Sequence, residues 1–173
     1  YFEKDGDVIV TWAYGHILRL ATPEEYDEKY KFWKNYPIIP KKWQIKPSAN
    51  TKKQLDVILQ LLKKADIVIN AGDPDREGQL LIDEILDYAG YKGIVQRLLL
   101  NAKDDISLKR AFENIQDNNN FKNLYMAGLG RSRADWLVGM NLTRAYSVSA
   151  RKYGYNTIFR IGRVKIPTLS LVV

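Results

Sequence analysis

The stretch Asp66-Ile67-Val68-Ile69-Asn70-Ala71-Gly72-Asp73-Pro74-Asp75-Arg76-Glu77-Gly78-Gln79-Leu80 decides how this 173-residue chain folds. Its first six residues are a short apolar run of the kind buried on both faces of a parallel sheet. Its end opens a helix over 77–89, with Leu81, Ile82, Ile85 and Tyr88 on one side and Asp83, Glu84 and Asp87 opposite, closed by Gly90. Between strand and helix stand three acids at alternate positions. Pro74 biases Asp73 toward extended backbone. Residues i and i+2 of an extended segment face the same way, so Asp73 and Asp75 are expected to converge. Glu77 reaches the same point from the first helical turn. The carboxyl end of a strand is where open α/β sheets place their ligands.

Three carboxylates so close repel one another and would partly protonate unless a cation neutralised them. Hard oxygen donors without His or Cys suit Mg²⁺, which keeps several waters and contacts phosphate. The spacing therefore predicts a Mg²⁺ site aimed at phosphate oxygens. A helix N-terminus that gathers acids against its dipole is the alternative; it accounts for Glu77 but leaves Asp73 and Asp75 unexplained. An aspartyl phosphotransferase also uses Asp-x-Asp, but Thr or Val would follow the second Asp, where this chain has Arg76-Glu77.

Working outward, Asp5-Gly6 and the strand formers Val8-Ile9-Val10-Thr11-Trp12 predict a hairpin over 1–15, broken at Gly15-His16. Residues 22–50 carry four of the six prolines and predict a long irregular connection, of the kind more often functional than idle. Thr51-Lys-Lys-Gln54 matches a capping box, and Leu55, Ile58, Leu59 and Leu62 fall on one helical face. Val95–Leu100 predicts the next strand, and Leu108, Ala111, Phe112 and Ile115 a further helix. Strands alternating with helices give a doubly wound α/β pattern with a parallel sheet. Asp117-Asn-Asn-Asn120 is a polar break, placing a boundary between an α/β domain over 1–117 and a mostly helical segment over 118–173. In the latter, 121–153 reads as helix and Gly162-Arg163 opens a last one.

Charge follows the same division. Residues 1–120 hold 18 Lys+Arg against 19 Asp+Glu, whereas 121–173 hold nine basic residues against Asp135 alone. A segment that attracts polyanions is joined to one that does not, and nucleic acid is the partner this favours over a merely solvated basic face. The chain is long enough to bury a core, and its 46% hydrophobic and 27% charged residues are ordinary for a globular protein. No apolar run approaches the roughly 20 residues of a membrane span. No export leader is visible, and because the chain begins at Tyr1 rather than Met an earlier segment would hide one. With no cysteine there is neither disulfide nor thiolate metal site, which fits a reducing compartment.

Asp73-Pro-Asp75-Arg-Glu77-Gly78 resembles the Asp-x-Asp-x-Glu motif of the Toprim domain, shared by topoisomerases, bacterial primases and some nucleases. Arg131-Ser-Arg133-Ala-Asp135-Trp-Leu-Val-Gly-Met-Asn-Leu-Thr-Arg144-Ala is similar to the sequence that follows Toprim in type IA topoisomerases of the topoisomerase III kind. Gly162-Arg163-Val-Lys165-Ile-Pro-Thr168-Leu resembles that family's Gly-Arg-Val-Gln-Thr-Pro-Thr-Leu, with Lys165 and Ile166 replacing its Gln and first Thr. Gly15-His16-Ile-Leu fits its second Toprim strand. The resemblance covers essentially the whole chain.

It implies a Toprim-like doubly wound sheet lacking its first strand, with that strand's catalytic Glu and the downstream nucleophilic tyrosine outside these residues, so that the piece alone is expected to be inactive. It implies that Asp73, Asp75 and Glu77 hold Mg²⁺ and act in catalysis. It places His16, Arg97, Arg131, Arg133, Asp135, Arg163, Lys165 and Thr168 toward DNA. Without it, His16 is equally a turn residue, Arg97 an unremarkable strand arginine, and Arg131–Asp135 an i, i+4 surface ion pair. The implied activity is ATP-independent relaxation or decatenation by transient single-strand cleavage through a 5′-phosphotyrosyl link. The implied partners are DNA, preferentially single-stranded, and a helicase, in a cytoplasmic, nucleoid-associated setting away from any membrane. The rivals are another Toprim enzyme (primase or nuclease) and a non-catalytic DNA-binding module.

Overall fold

The structure, a computed structural model, describes residues 2–4, 8–102 and 104–173, and for 2–4 the backbone alone. Strands β1 (Phe2–Lys4) and β2 (Val8–Val10) pair antiparallel with Phe2 opposite Val10. The expected turn at Asp5-Gly6 lies outside the described residues. Then follow β3 (Leu18–Leu20), the short helix α1 (Pro23–Tyr26), a 3₁₀ turn at Glu28–Lys31, and β4 (Ile45–Pro47), which pairs with β3. Helix α2 (Lys52–Leu62) leads into β5 (Ile67–Asn70), α3 (Arg76–Ala89) and β6 (Ile94–Arg97). Helix α4 (Asp105–Glu113), β7 (Gln116–Asp117), a 3₁₀ turn at Asn118–Phe121, the long helix α5 (Lys122–Arg151) and α6 (Lys165–Ser170) complete the order. An α/β arrangement followed by a helical segment is what the sequence pattern requires.

The chain divides into two compact units, 1–19 with 45–129 and 20–44 with 130–173, a line drawn elsewhere than the 117/118 break. In the first unit, β5 and β6 run parallel with Ile67 opposite Ile94 and Asn70 opposite Arg97, joined by the α3 crossover. Strand β7 adds antiparallel on the far side of β6, with Gln96 opposite Asp117, so the sheet is mixed and, among the described residues, β5 and β7 are its edges. The expectation that β5 is buried on both faces is not met. Ile67 is 51% and Ile69 45% exposed while Asn70 is buried, an alternation that marks one covered and one open face.

The first unit's core joins Ile17 and Leu18 to Leu55 and Ile58 of α2 and Ile85 of α3, with Ala13, Ile45, Leu59 and Leu62 packed around them. Each such aliphatic side chain, fully buried, contributes about 1.5–3 kcal/mol. The face of α2 is the one its periodicity announces, but its capping box does not form. The Thr51 hydroxyl donates to the Ile17 carbonyl at 3.2 Å, and the Gln54 amide to Trp12 O at 2.6 Å and Thr11 Oγ1 at 3.2 Å. Tertiary partners outcompete the local pair because they satisfy polar groups of the segment between β2 and β3.

Helix α3 also departs from its simple amphipathic reading. Asp83 and Glu84 are buried with Leu80, Ile85 and Leu86, while Tyr88 is 43% exposed. Its C-terminus follows the Gly expectation: Gly90 is left-handed at φ 64°, and its N–H donates to Asp87 and Leu86 carbonyls.

In the second unit, the 20–44 connection lies along one stripe of α5. Trp136 donates from Nε1 to Ala21 O at 3.0 Å and meets Tyr26 and Trp43 edge-on at 5.8 and 5.5 Å between ring centres. Asn141 accepts from Ile38 N at 2.6 Å and donates to Ile38 O at 2.9 Å. Arg144, buried, donates to Tyr30 O at 2.7 Å, and Trp33 sits beneath both Arg144 and Arg151 at 5.7 Å. These positions recur at helical spacing, so an irregular segment is ordered by one helix face.

Candidate functional site

The acid run occupies the turn from β5 to α3. Asp75 is extended at φ −135° and ψ 178°, and caps α3 by accepting from Gly78 N at 2.8 Å through Oδ1. Its own N–H donates to Asp73 O at 2.8 Å. The loop is so tight that a Cβ on Gly78 would strike the Asp73 backbone, and one on Gly72 would lie 2.6 Å from Gly78 O. Glycine at both positions is a steric condition of this turn. Further along, a Cβ on Gly128 would lie 2.7 Å from Arg76 O, so α5 crosses the start of α3 backbone to backbone.

Asp73, Asp75 and Arg76 are exposed and Glu77 half-buried, with Arg76 Nε 3.9 Å from Glu77 Oε1. Among the described residues, no three His, Cys, Asp or Glu side chains gather closely enough to enclose a metal ion. The acids share one turn without converging, because one oxygen of Asp75 is drawn to the helix and Glu77 is already on it. The helix-start reading thus accounts for Asp75 as well as Glu77, more than the spacing alone suggested. Asp73 is not explained by it.

Arg97, on β6, is 0% exposed. Its guanidinium donates to Gly72 O at 2.7 Å, Asp73 O at 2.6 Å, Asn70 O and Leu98 O at 3.0 Å, and Gln79 Oε1 at 2.8 Å. Burial pulls this guanidinium below its ordinary value, opposed by the charges of Asp83, Asp73 and Asp75. Arg97 therefore ties the acid loop together from beneath and is not a solvent-facing arginine. Gln79 and Asn118 both donate to Asp83, at 2.8 and 2.9 Å. Burial pushes the Asp83 carboxyl up, while these two amides draw it back.

The donor set fits a hard divalent cation. Asp73 is open to solvent and Asp75 caps through only one oxygen. Mg²⁺ needs no more than one or two carboxylates beside its waters and a phosphate. A fixed positive charge below the loop also moderates the repulsion among the acids.

His16 is exposed, just after Gly15 at φ 66° and before β3. In the second unit, Asp135 is the hub of the basic residues. Arg163 donates to it from Nε at 2.7 Å and NH2 at 3.3 Å, and Arg131 Nε lies 3.7 Å away. Arg163 holds the Asp135 carboxyl below the usual range and is itself raised in return. The i, i+4 pair is thus present, and Arg163 completes it from the segment before α6. The guanidinium of Arg133 lies 5.5 Å over Trp43, and its buried Nε has no hydrogen-bond partner. Lys165 and Thr168 are exposed on α6, with the Thr168 hydroxyl donating to Val164 O at 2.9 Å.

Sequence reasoning overlooked Gln79, Asn118 and Arg144. A Gln within an otherwise apolar helical stripe was the only signal for the first; the other two are defined by partners remote in sequence.

A parallel strand, a carboxylate turn and a crossover helix are the elements of a Toprim domain, and the Toprim domain model matches residues 2–111. The chain belongs to the Toprim family, whose domains generally bind a metal ion. Residues 119–173 match the model described as DNA topoisomerase. Similar curated proteins bear the name DNA topoisomerase 3: one of Vibrio cholerae, 47% identical over 98% of this chain, and one of Haemophilus influenzae, 45% identical over 99%. A Staphylococcus saprophyticus protein of that name is 42% identical over 99% of the chain. The chain spans 27%, 28% and 24% of these relatives' lengths.

Proposed function

We propose that this chain supplies the metal-holding loop and part of the DNA grip of a type IA topoisomerase that relaxes or decatenates DNA. The Toprim domain would span 1–117 and the helical DNA-binding segment 118–173. The observation that carries this reading is the acid turn at the carboxyl end of β5, set in a chain whose relatives are named DNA topoisomerase 3.

In this reading Asp73, Asp75 and Glu77 hold Mg²⁺. The ion supplies positive charge that positions a DNA phosphate and the 3′-hydroxyl. Asp73 offers an unencumbered carboxylate, Asp75 its second oxygen, and Glu77 a side chain on the first helical turn. Arg97 keeps the loop's shape. A tyrosine outside these residues attacks phosphorus, the bond to the 3′-oxygen breaks, and a 5′-phosphotyrosyl link and a 3′-hydroxyl result. Religation reverses the step. The ester bond stores the energy, so no ATP is required.

Arg131, Arg133, Arg163 and Lys165 contact backbone phosphates of a preferentially single strand. Thr168 and His16 lie along the path of the DNA, and Asp135 orients its arginines. A helicase partner and a cytoplasmic, nucleoid-associated setting belong to the same proposal.

The test is relaxation of supercoiled plasmid by the intact protein. It should require a divalent cation and be lost in Glu77→Gln with single-strand binding kept. Undiminished relaxation by Glu77→Gln in a chelator would refute the reading.

A further inference from the structure

The buried face of α3 holds a polar cluster that neither metal binding nor DNA contact explains. Gln79 is 0% exposed and touches three side chains at once. Its Oε1 accepts from Arg97 Nε at 2.8 Å, and its Nε2 donates to Asp83 Oδ2 at 2.8 Å and Asn118 Oδ1 at 2.9 Å. Asn118 donates to Asp83 Oδ1 at 2.9 Å and accepts from Asn70 Nδ2 at 3.3 Å. Asn70 Oδ1 in turn accepts from Gly72 N at 3.0 Å.

A neutral amide is the side chain that suits position 79. Arginine only donates, so Gln79 must offer it an oxygen; an ionised carboxylate only accepts, so Gln79 must offer it a nitrogen. An apolar side chain would leave Arg97 Nε and Asp83 Oδ2 without the partner that Gln79 supplies, and a carboxylate would face Asp83. The guanidinium so fixed reaches the carbonyls of Gly72 and Asp73, the residues where the acid loop turns.

We propose that Gln79 and Asn118 are positioning residues that lock Arg97 and thereby fix, before any ion arrives, the backbone of the acid loop from which its carboxylates reach the ion. This rests on the reading that the loop binds Mg²⁺. Outer partners of metal ligands typically change affinity by about 10–100-fold when removed, which sets the expected scale. Because the lock acts through backbone carbonyls, its loss loosens the loop while leaving every carboxylate in place.

Two measurements on the intact protein test the lock. One is calorimetric titration with Mg²⁺ alone. The other is amide hydrogen exchange of the metal-free protein at Asp75 and Gly78, whose N–H groups close the loop. Gln79→Met should weaken Mg²⁺ binding by about tenfold or more and speed exchange at both amides, with single-strand DNA binding in chelator unchanged. Gln79→Glu should weaken it similarly, and adding Asp83→Asn, which returns donors to that carboxylate, should restore affinity to within about threefold. Should Gln79→Met fail to fold, Asn118→Ala, at a half-buried position, is read the same way.

A folded Gln79→Met protein with wild-type Mg²⁺ affinity and slow exchange at both amides overturns the proposal. Asp73→Asn keeps the two ideas apart. If it removes Mg²⁺ binding while Gln79→Met does not weaken it, only the lock is wrong. If the wild-type protein takes up no Mg²⁺, the underlying reading is wrong, and the proposal falls with it.

Discussion

Gly78 meets the Asp73 backbone so closely that no side chain fits between them. Gly78→Ala is therefore expected to cost roughly 2–3 kcal/mol of stability, near the upper end for single substitutions, and to abolish metal binding together with it; urea unfolding and Mg²⁺ titration measure the two. Asp83 carries a pH signature. Its folded value is raised, chiefly by burial, above the ordinary 3.8. A raised value means that its contribution to stability is full below about pH 3.8 and declines as pH rises through the folded value. Asp83→Asn should flatten that part of the stability–pH curve, as denaturation at a series of pH values would show. The acids of the loop were legible in the sequence because they stand at alternate positions of one short stretch between a strand and a helix. The amides beneath them were not, since Gln79 acquires its meaning from Arg97, 18 residues on, and Asn118, 39 residues on.

Helix α3 begins on Asp75, which caps it and, in the proposed function, also holds Mg²⁺, two roles that substitution can separate. Asn caps a helix about as well as Asp, whereas Ala costs about 1 kcal/mol. Asp75→Asn should therefore leave the melting temperature nearly unchanged and weaken Mg²⁺ binding, while Asp75→Ala should lower both. The segment before α6 is held to α5 by Thr143, whose hydroxyl donates to Ile161 O at 3.3 Å and accepts from Ile161 N at 3.0 Å, and by Ser147, whose Oγ accepts from Phe159 N at 2.9 Å. Thr143→Val removes two bonds at a cost of about 1–3 kcal/mol, and exchange at the Ile161 amide should rise accordingly. Helix existence and type were readable from periodicity in α2, α3 and α4, and 121–153 read as helix without a periodic stripe being named. Strand burial and caps were not: whether β5 is covered on one face or two, and whether Thr51 bonds locally or to Ile17, depends on what the rest of the chain brings alongside.

Across the whole molecule the charge asymmetry is the feature with a bulk consequence. Nine basic residues against Asp135 in 121–173 should make single-strand binding by the intact protein fall steeply with salt. Substituting Arg133 or Lys165 should reduce the slope of log affinity against log salt by about 0.7 for each phosphate left without its cation. Asp135 was legible as an ion-pair partner of Arg131 at helical spacing; its bidentate hold on Arg163, 28 residues away, required the structure. Everything else in the functional reading hangs on a cation gathering at the β5–α3 turn to handle a DNA phosphate. Calorimetric titration of the intact protein with Mg²⁺, alone and with a single-stranded oligonucleotide bound, addresses that directly. Binding that disappears in Asp73→Asn and tightens with the oligonucleotide is the expected result; no uptake of Mg²⁺ under either condition, or uptake indifferent to Asp73→Asn, would contradict it.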